Sequence, residues 1–385
     1  MGKKKIHGRV AACAAALALT ATFGNVVLPE FPTAHAAQSD WHFDFGGNGA
    51  ANGYTAVDAG TGYSNARGYG FANTGQVKNV AAAGKNELSD AVQFTNTSAA
   101  NTFNVDLPSG LYEIRVRLGN TARASVKAEG VLQLINMTGN NAEDKFTIPV
   151  TDGQLNLMVT EGKAGTAFTL SALDIKKVSD STETKQTIWV CGDSTVCNYY
   201  PLATSEQAGW AQMLGGYVDT SVFDIRNMAA SGQYAKGFVD AGQFAPIEKY
   251  GKKGDYYIIS IGINDTNYSN ATEYYNTVTD MTKRAQAKGM EVILIKQQGR
   301  NGDAQGNLTS RWFAGELDKI GKEQNCQVVD LFNLYKDYCR SIGADKTNAL
   351  YKDALHPNRA GADKLAELVA SQIQFTAINA DGPVT

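Results

Sequence analysis

Ser194 follows an unbroken apolar run, residues 187–191, in the segment Gly192-Asp193-Ser194-Thr195. A Ser placed after a strand and a Gly, at the start of a helix, can be both exposed and activated. Backbone N–H groups at a helix N-terminus favour developing negative charge. The bland alternative is an ordinary N-cap, a role that Asp, Ser and Thr all fill. Three more segments carry matching chemistry. Gly232 ends Asn227-Met228-Ala229-Ala230-Ser231-Gly232, where a missing side chain lets the backbone approach a ligand and donate its N–H. Asn264, in Gly262-Ile263-Asn264-Asp265, carries an amide that can donate to an oxyanion. The same composition also suits a plain turn. Asp353 and His356 lie three apart in Asp353-Ala354-Leu355-His356-Pro357-Asn358. That spacing can set a carboxylate against the imidazole, fixing its tautomer and raising its basicity. Together these residues supply a nucleophile, a base, an orienting acid and oxyanion donors: the N–H groups of Ser194 and Gly232 and the Asn264 amide. GxSxG is absent, because Val196 stands where its last Gly would be, so this Ser is not on an α/β-hydrolase elbow.

Histidine scarcity sharpens that reading. The chain of 385 residues has four His: His7, His35, His42 and His356. Lys3, Lys4, Lys5 and Arg9 precede an Ala/Leu-rich stretch, and Ala34-His35-Ala36 fits a small-x-small cleavage site. This is the layout of a secretory signal peptide over residues 1–36. Its cleavage leaves His42 and His356, so multi-His metal sites are excluded. No metal or cofactor is expected. His42 has no nucleophile motif near it and is expected to be structural. The cleavage also takes four basic residues and Glu30, moving the net charge from −3 to −6. A mildly acidic secreted chain is expected to bind neither nucleic acid nor membrane and to work as a monomer. Cys191, Cys197, Cys326 and Cys339 remain. The compartment permits disulfides, in any of three full pairings, and buried thiols are the equal alternative.

The elements that must position these residues change character along the chain. Residues 40–178 read as an all-β sandwich. Residues 103–107 and 111–118 alternate apolar and polar, further short strands follow at 147–150, 155–159 and 168–175, and Gly and Asn punctuate them. Residues 46–84 read as loop-rich. Trp41, Tyr54, Tyr63, Tyr69 and Phe71 could stack on sugars, but packing is their commoner role. A polar stretch, residues 179–187, reads as a linker. Beyond it, residues 188–376 read as α/β. Continuous apolar runs at 187–191, 222–225, 256–261, 292–295 and 327–330 alternate with helical segments near 237–250, 272–288, 310–325 and 359–374. Strands without alternation, separated by helices, indicate a parallel sheet covered on both faces. Chemistry in such sheets sits at the carboxyl ends of the strands, which is where the Ser, Gly and Asn segments fall.

The constellation resembles the SGNH (GDSL-type) hydrolases across about residues 187–375. Within that superfamily, Gly192-Asp193-Ser194-Thr195-Val196, the pair Gly209-Trp210 and Asn227-x-Ala229-x-x-Gly232 are similar to the rhamnogalacturonan acetylesterase branch. The resemblance implies a three-layer, flavodoxin-like α/β/α fold and removal of acetyl groups from plant polysaccharides. One departure stands out. The branch carries Arg-Ser-x-Arg after the second-block Gly, whereas this chain has Gln233, Tyr234, Ala235 and Lys236. Losing an Arg removes a charge and a bidentate fork, which bears on pectin as substrate but not on the catalytic set. The first half, from Phe43-Asp44-Phe45-Gly46, resembles the galactose-binding-like sandwich attached to such esterases.

The expected chemistry is acyl transfer: Ser194 attacks, His356 moves the proton, Asp353 orients His356, and an acetyl-enzyme is hydrolysed. The expected partner is an acetylated polysaccharide or oligosaccharide. Acetylxylan, lipid esters and a non-catalytic glycan-binding role are alternatives for the same parts. A glycosidase or lyase built on paired carboxylates would leave the Ser/Gly/Asn/His arrangement unexplained.

Overall fold

A computed structural model describes residues 39–81, 87–98, 100–161 and 168–378. The leader expected at residues 1–36 lies outside them. Two regions follow in chain order. The first is all β: β1 (Asp40–Phe45), β2 (Thr55–Val57), β3 (Tyr69–Phe71), β4 (Val77–Val80), β5 (Ala91–Phe94), β6 (Phe103–Asp106), β7 (Gly110–Arg117), β8 (Asn120–Ala128), β9 (Val131–Asn140), β10 (Glu143–Val150), β11 (Gln154–Glu161), β12 (Phe168–Leu170) and β13 (Ala172–Ser179). Two five-stranded sheets, ordered β10-β7-β13-β1-β2 and β3-β6-β11-β8-β9, are joined by a small third sheet, β12-β5-β4. Pairing is antiparallel except between β1 and β2. The alternation of β6 and β7 does what the pattern implies, burying Phe103, Val105, Ile114 and Val116 between the sheets. The aromatics weighed as sugar platforms have packing or bonding partners, Tyr54 against His42 at 5.4 Å. Phe71 is in the core, Tyr69 packs on Phe43 at 5.0 Å, Trp41 on Tyr112 at 6.0 Å, and the Tyr63 hydroxyl donates to Asp106. His42 pairs with Asp174 at 2.7 Å within this region.

The second region is a parallel sheet of β14 (Gln186–Gly192), β15 (Phe223–Asn227), β16 (Tyr256–Ser260), β17 (Glu291–Ile295) and β18 (Gln327–Val329), in the order β15-β14-β16-β17-β18. That is the flavodoxin-like order, with a topological switch beside its first strand. Helices α1 (Trp210–Met213), α2 (Ala235–Asp240), α3 (Ala245–Tyr250), α4 (Asp265–Tyr268), α5 (Ala271–Ala287), α6 (Ala314–Gln324), α7 (Leu331–Ile342), α8 (Ala344–Asn348) and α9 (Arg359–Gln372) complete it. Buried clusters lie on both sheet faces, Ile188, Val190 and Ile258 on one and Trp189, Tyr257 and Ile259 on the other.

Three helix expectations need correction. The segment expected as one helix over 237–250 is two, α2 and α3. Gly242, in the left-handed region at φ 78°, ends the first, and Pro246 stands in the first turn of the second. The helix expected from residue 310 starts only at Ala314, because Trp312 and Phe313 are themselves left-handed, at φ 57° and 56°. The helix expected directly after Ser194 does not form. Val196 and Cys197 donate back to the Asp193 carbonyl at 3.0 and 2.9 Å, one turn is made, and no helix follows until α1. The stretch read as a linker is shorter than expected, since β13 runs to Ser179 and β14 starts at Gln186.

The two regions share a core rather than a tether. β9 is buried on both faces. Leu134 and Met137 face the sandwich interior, while Leu132 and Ile135 join the cluster of Trp189, Ile247 and Tyr257. Arg226 of β15 completes the seam. Its guanidinium lies 5.1 Å from the Trp189 ring, donates to the Thr147 carbonyl at 3.2 Å and bonds to Gln133. The Tyr200 hydroxyl donates to Asp144 at 2.7 Å. Each buried Leu or Ile contributes about 1.5–3 kcal/mol, so the seam is costly to open. The described residues of the two regions accordingly cluster as one compact unit. Calorimetry of the intact chain is expected to show one cooperative transition, and a chain cut before β14 is expected to aggregate. Two well-separated transitions would contradict a shared core.

Candidate functional site

The Ser-bearing strand lies between the Gly-bearing and Asn-bearing strands, because β14 pairs with β15 on one side and β16 on the other. Loops from three adjacent strand ends therefore converge. Two glycines shape the first. A Cβ on Gly192 would lie 2.5 Å from Val196 Cβ, and one on Gly209 would lie 2.1 Å from the Val196 carbonyl carbon. Gly209 thus lets the next segment close on the turn, with its N–H to Cys197 O at 3.1 Å and Trp210 N–H to Thr195 O at 3.0 Å. Asp193 is fully buried beneath. Its carboxylate accepts from the N–H and hydroxyl of Thr195 at 2.9 Å each and from Gln297 Nε2 at 2.9 Å. Burial pushes the Asp193 carboxyl upward, against the pull of those donors. Gln297, just past β17, also accepts from Ile263 N–H at 3.1 Å. One buried amide thus ties the Ser turn to the Asn loop.

The Ser194 hydroxyl meets His356 Nε2 at 2.9 Å, and His356 Nδ1 meets Asp353 Oδ2 at 2.8 Å. The other Asp353 oxygen accepts the backbone N–H groups of Leu355 and His356 at 2.7 and 2.8 Å. Burial alone would raise the Asp353 carboxyl, but these two N–H bonds and the imidazole outweigh it and hold it at about 2. An ionised carboxylate only accepts, so Nδ1 carries the proton and Nε2 of the neutral ring offers its lone pair to Ser194. The loop is anchored at both ends. Asn301 N–H donates to Ala354 O at 3.1 Å, and Asn358 caps α9 through Gly361 N–H at 3.0 Å. A Cβ on Gly361 would lie 2.2 Å from Leu350 O, so α9 sits directly against the loop that carries His356.

Gly232 is left-handed, at φ 79°, with open space where a Cβ would be. Its dihedral, not crowding, calls for Gly. The Asn-Asp pair that composition also allowed as a turn is a clamp on this loop. Asn264 Nδ2 donates to Gln233 O at 2.9 Å, and both Asp265 oxygens accept Ala235 N–H at 3.0 and 3.1 Å. Burial, with help from the Asp193 charge, pushes the Asp265 carboxyl up to about 7. The second amide hydrogen of Asn264 remains for a ligand. At the position where the resembled branch has its first Arg, the Gln233 amide bonds to Gln243 instead.

All five residues singled out from the sequence are thus in the loops at one end of the sheet, with Ser194, His356 and Asp353 bonded in series. The sequence reading missed Gln297 and Asp193, whose work is to hold the loops. A Gln past a strand carries no signal of that kind, whereas an Asp between a Gly and a Ser after an apolar strand does. Among the described residues, Cys191, Cys197, Cys326 and Cys339 are unbridged. Burial pushes the Cys197 thiol up to about 12 and the Cys191 thiol well above its ordinary value. Neither is a rival nucleophile. Among the described residues no His, Cys, Asp and Glu cluster could hold a metal ion.

Comparison with known proteins supports this reading. A protein of Bacillus subtilis (strain 168) named uncharacterized esterase YxiM is 52% identical over 345 residues, covering 87% of this chain and 90% of its own. Residues 190–364 match the GDSL-like lipase/acylhydrolase family. The chain belongs to that family and is an esterase. Residues 41–176 match the beta-agarase/YXIM esterase-like, galactose-binding domain-like family, in line with the all-β region. The crystal structure of YxiM superposes with a TM-score of 0.84, covering 86% of this chain and 97% of that one. A probable rhamnogalacturonan acetylesterase, YesY, of the same organism is 26% identical over 202 residues, covering 49% of this chain and 92% of its own. Beta-agarase A of Zobellia galactanivorans is 28% identical over 154 residues, covering 37% of this chain and 28% of its own.

Proposed function

We propose that this esterase is secreted and removes acetyl groups from plant cell-wall polysaccharide, with rhamnogalacturonan or pectin first among its substrates. The observation that carries the chemistry is the unbroken series from Ser194 Oγ to His356 Nε2 at 2.9 Å and from His356 Nδ1 to Asp353 at 2.8 Å. His356 takes the Ser194 proton as the oxygen attacks the acetyl carbonyl. Asp353 stabilises the resulting imidazolium without taking its proton. The N–H groups of Ser194 and Gly232 and the Asn264 amide hold the oxyanion. The sugar hydroxyl leaves with the proton from His356, and water repeats the sequence on the acetyl-Ser194 ester. The similarity to YesY supports the substrate class, and the basic, apolar and small-residue order of residues 1–36 supports export.

Acetate release from a panel of acetylated pectin, xylan and mannan tests the substrate. Pectin or rhamnogalacturonan is expected to rank first. A preference for long over short p-nitrophenyl esters would overturn the carbohydrate reading. Asn264→Ala is expected to lower kcat by about 10²–10³-fold, the usual effect of losing one oxyanion donor, with a smaller change in KM. Asn264 also fixes the Gly232 loop through Gln233 O, so the effect falls at the upper end. A rise in KM with kcat kept would make Asn264 a ground-state binder.

A further inference from the structure

Tyr234 and Tyr268 pack on each other, with ring centroids 5.4 Å apart and planes 32° from parallel. Each comes from one of the two loops that carry the Gly232 and Asn264 donors. Tyr234 is two residues past Gly232. Tyr268 lies one helical turn past Asn264, and its N–H donates to Asn264 O at 3.2 Å. The bond from Asn264 Nδ2 to Gln233 O ties the two loops together beside the pair. Tyr234 is seated by α2, where a Cβ on Gly237 would lie 2.6 Å from its ring. Gly is otherwise unfavourable in a helix interior, and here it makes room for the ring. Tyr268 is left 65% exposed, the most of any large hydrophobic side chain among the described residues. Neither phenol hydroxyl has a hydrogen-bond partner among those residues. A cleft of about 580 Å³ between α2 and α5 begins two residues beyond each tyrosine, at Lys236 and Asn270, with Asp240, Glu273 and Asn276 in its walls.

We propose that Tyr268, braced by Tyr234, is the platform for the alcohol part of the ester and takes a saturated ring that bears hydroxyl groups. This rests on the acyl-transfer reading above, and the pair itself selects the ring. A tyrosine face is apolar and its hydroxyl is polar. The pair therefore matches a ring with a flat C–H face and hydroxyls at its rim. A long acyl chain would call for an apolar trough, whereas the adjoining cleft carries charges and amides. Both tyrosines are fixed to the oxyanion loops, so a ring lying on them is fixed relative to Ser194. The platform thus orients the ester as well as binding it.

The test is the ratio of kcat/KM for acetylated methyl glycosides of glucose, galactose and xylose to that for triacetin, an acyclic acetate. In the unmodified protein the best of the three glycosides is expected to exceed triacetin by about tenfold or more, a result that needs no variant to fold. Tyr268→Ala is expected to bring that ratio toward one, chiefly through KM. Tyr268→Trp is expected to keep it, and Tyr268→Phe, which keeps the ring and loses the hydroxyl, to fall between. Val178→Ala, changing an exposed apolar side chain of β13, is expected to keep the ratio. Methyl cinnamate carries its ring on the acyl side. A Tyr268→Ala loss seen with methyl cinnamate and not with the glycosides would give the pair to the acyl group and overturn the proposal. A ratio near one in the unmodified protein, or one that Tyr268→Ala leaves unchanged, would overturn it too. Those outcomes leave acyl transfer standing, which fails instead if triacetin and the glycosides all go uncleaved.

Discussion

Ser194→Ala is expected to lower ester turnover by about 10⁴–10⁶-fold, the range seen when a nucleophile is removed from a triad that acts as a unit. The residual rate comes from binding and the oxyanion donors alone. The fold is expected to survive, because the turn is held by Asp193, Thr195, Gly209 and Trp210 through bonds that do not involve the Ser194 hydroxyl. A melting temperature close to that of the unmodified chain, with acetate release near background, is the paired readout. Near-full turnover in a folded Ser194→Ala protein would end the assignment, since the buried, protonated thiols of Cys191 and Cys197 cannot take over.

His356→Ala is expected to cost as much as the loss of Ser194, and Asp353→Asn about 10⁴-fold. An Asn at 353 can turn its amide toward the ring, which reverses the tautomer and leaves Nε2 a donor facing Ser194. The pair of variants separates removal of the base from its misorientation. The pH profile follows from the same geometry. Asp353 titrates at about 2 rather than at an ordinary carboxyl value, so it is ionised throughout the working range. Its contribution to stability is present above the ordinary carboxyl range and is lost as pH falls through about 2. The acid limb of kcat/KM is therefore expected to owe nothing to Asp353, and, because His356 must accept the Ser194 proton, activity is expected to rise as pH rises. A flat acid-to-neutral profile would contradict an imidazole base.

The site was more legible than the scaffold that holds it. Ser194, Gly232, Asn264, Asp353 and His356 announce themselves because their types are chemically demanding and each follows an apolar strand or precedes a final helix. The central strands were equally plain, since β14, β16 and β17 are apolar without alternation. β8 and β9 were not, although β9 is the longest strand of the sandwich. Leu132 and Ile135 pack on one region and Leu134 and Met137 on the other, and the register shifts of the β8–β9 pair break the period of two. A strand between two cores has no polar face to alternate with. α7 was overlooked despite Asp330 as its cap and Leu331, Tyr335 and Cys339 stacked on its buried side, as it starts one residue after a short strand. The false helix after Ser194 arose from reading good capping residues as a helix start. Gly209, whose segment closes on that turn instead, is distant in sequence and adjacent in space.

β9 also bears on how such a protein can change. A binding module joined by a flexible tether can be lost or exchanged at the cost of that tether alone. Here an exchange would need a new sandwich that presents two apolar side chains in the places of Leu132 and Ile135 and partners for Arg226.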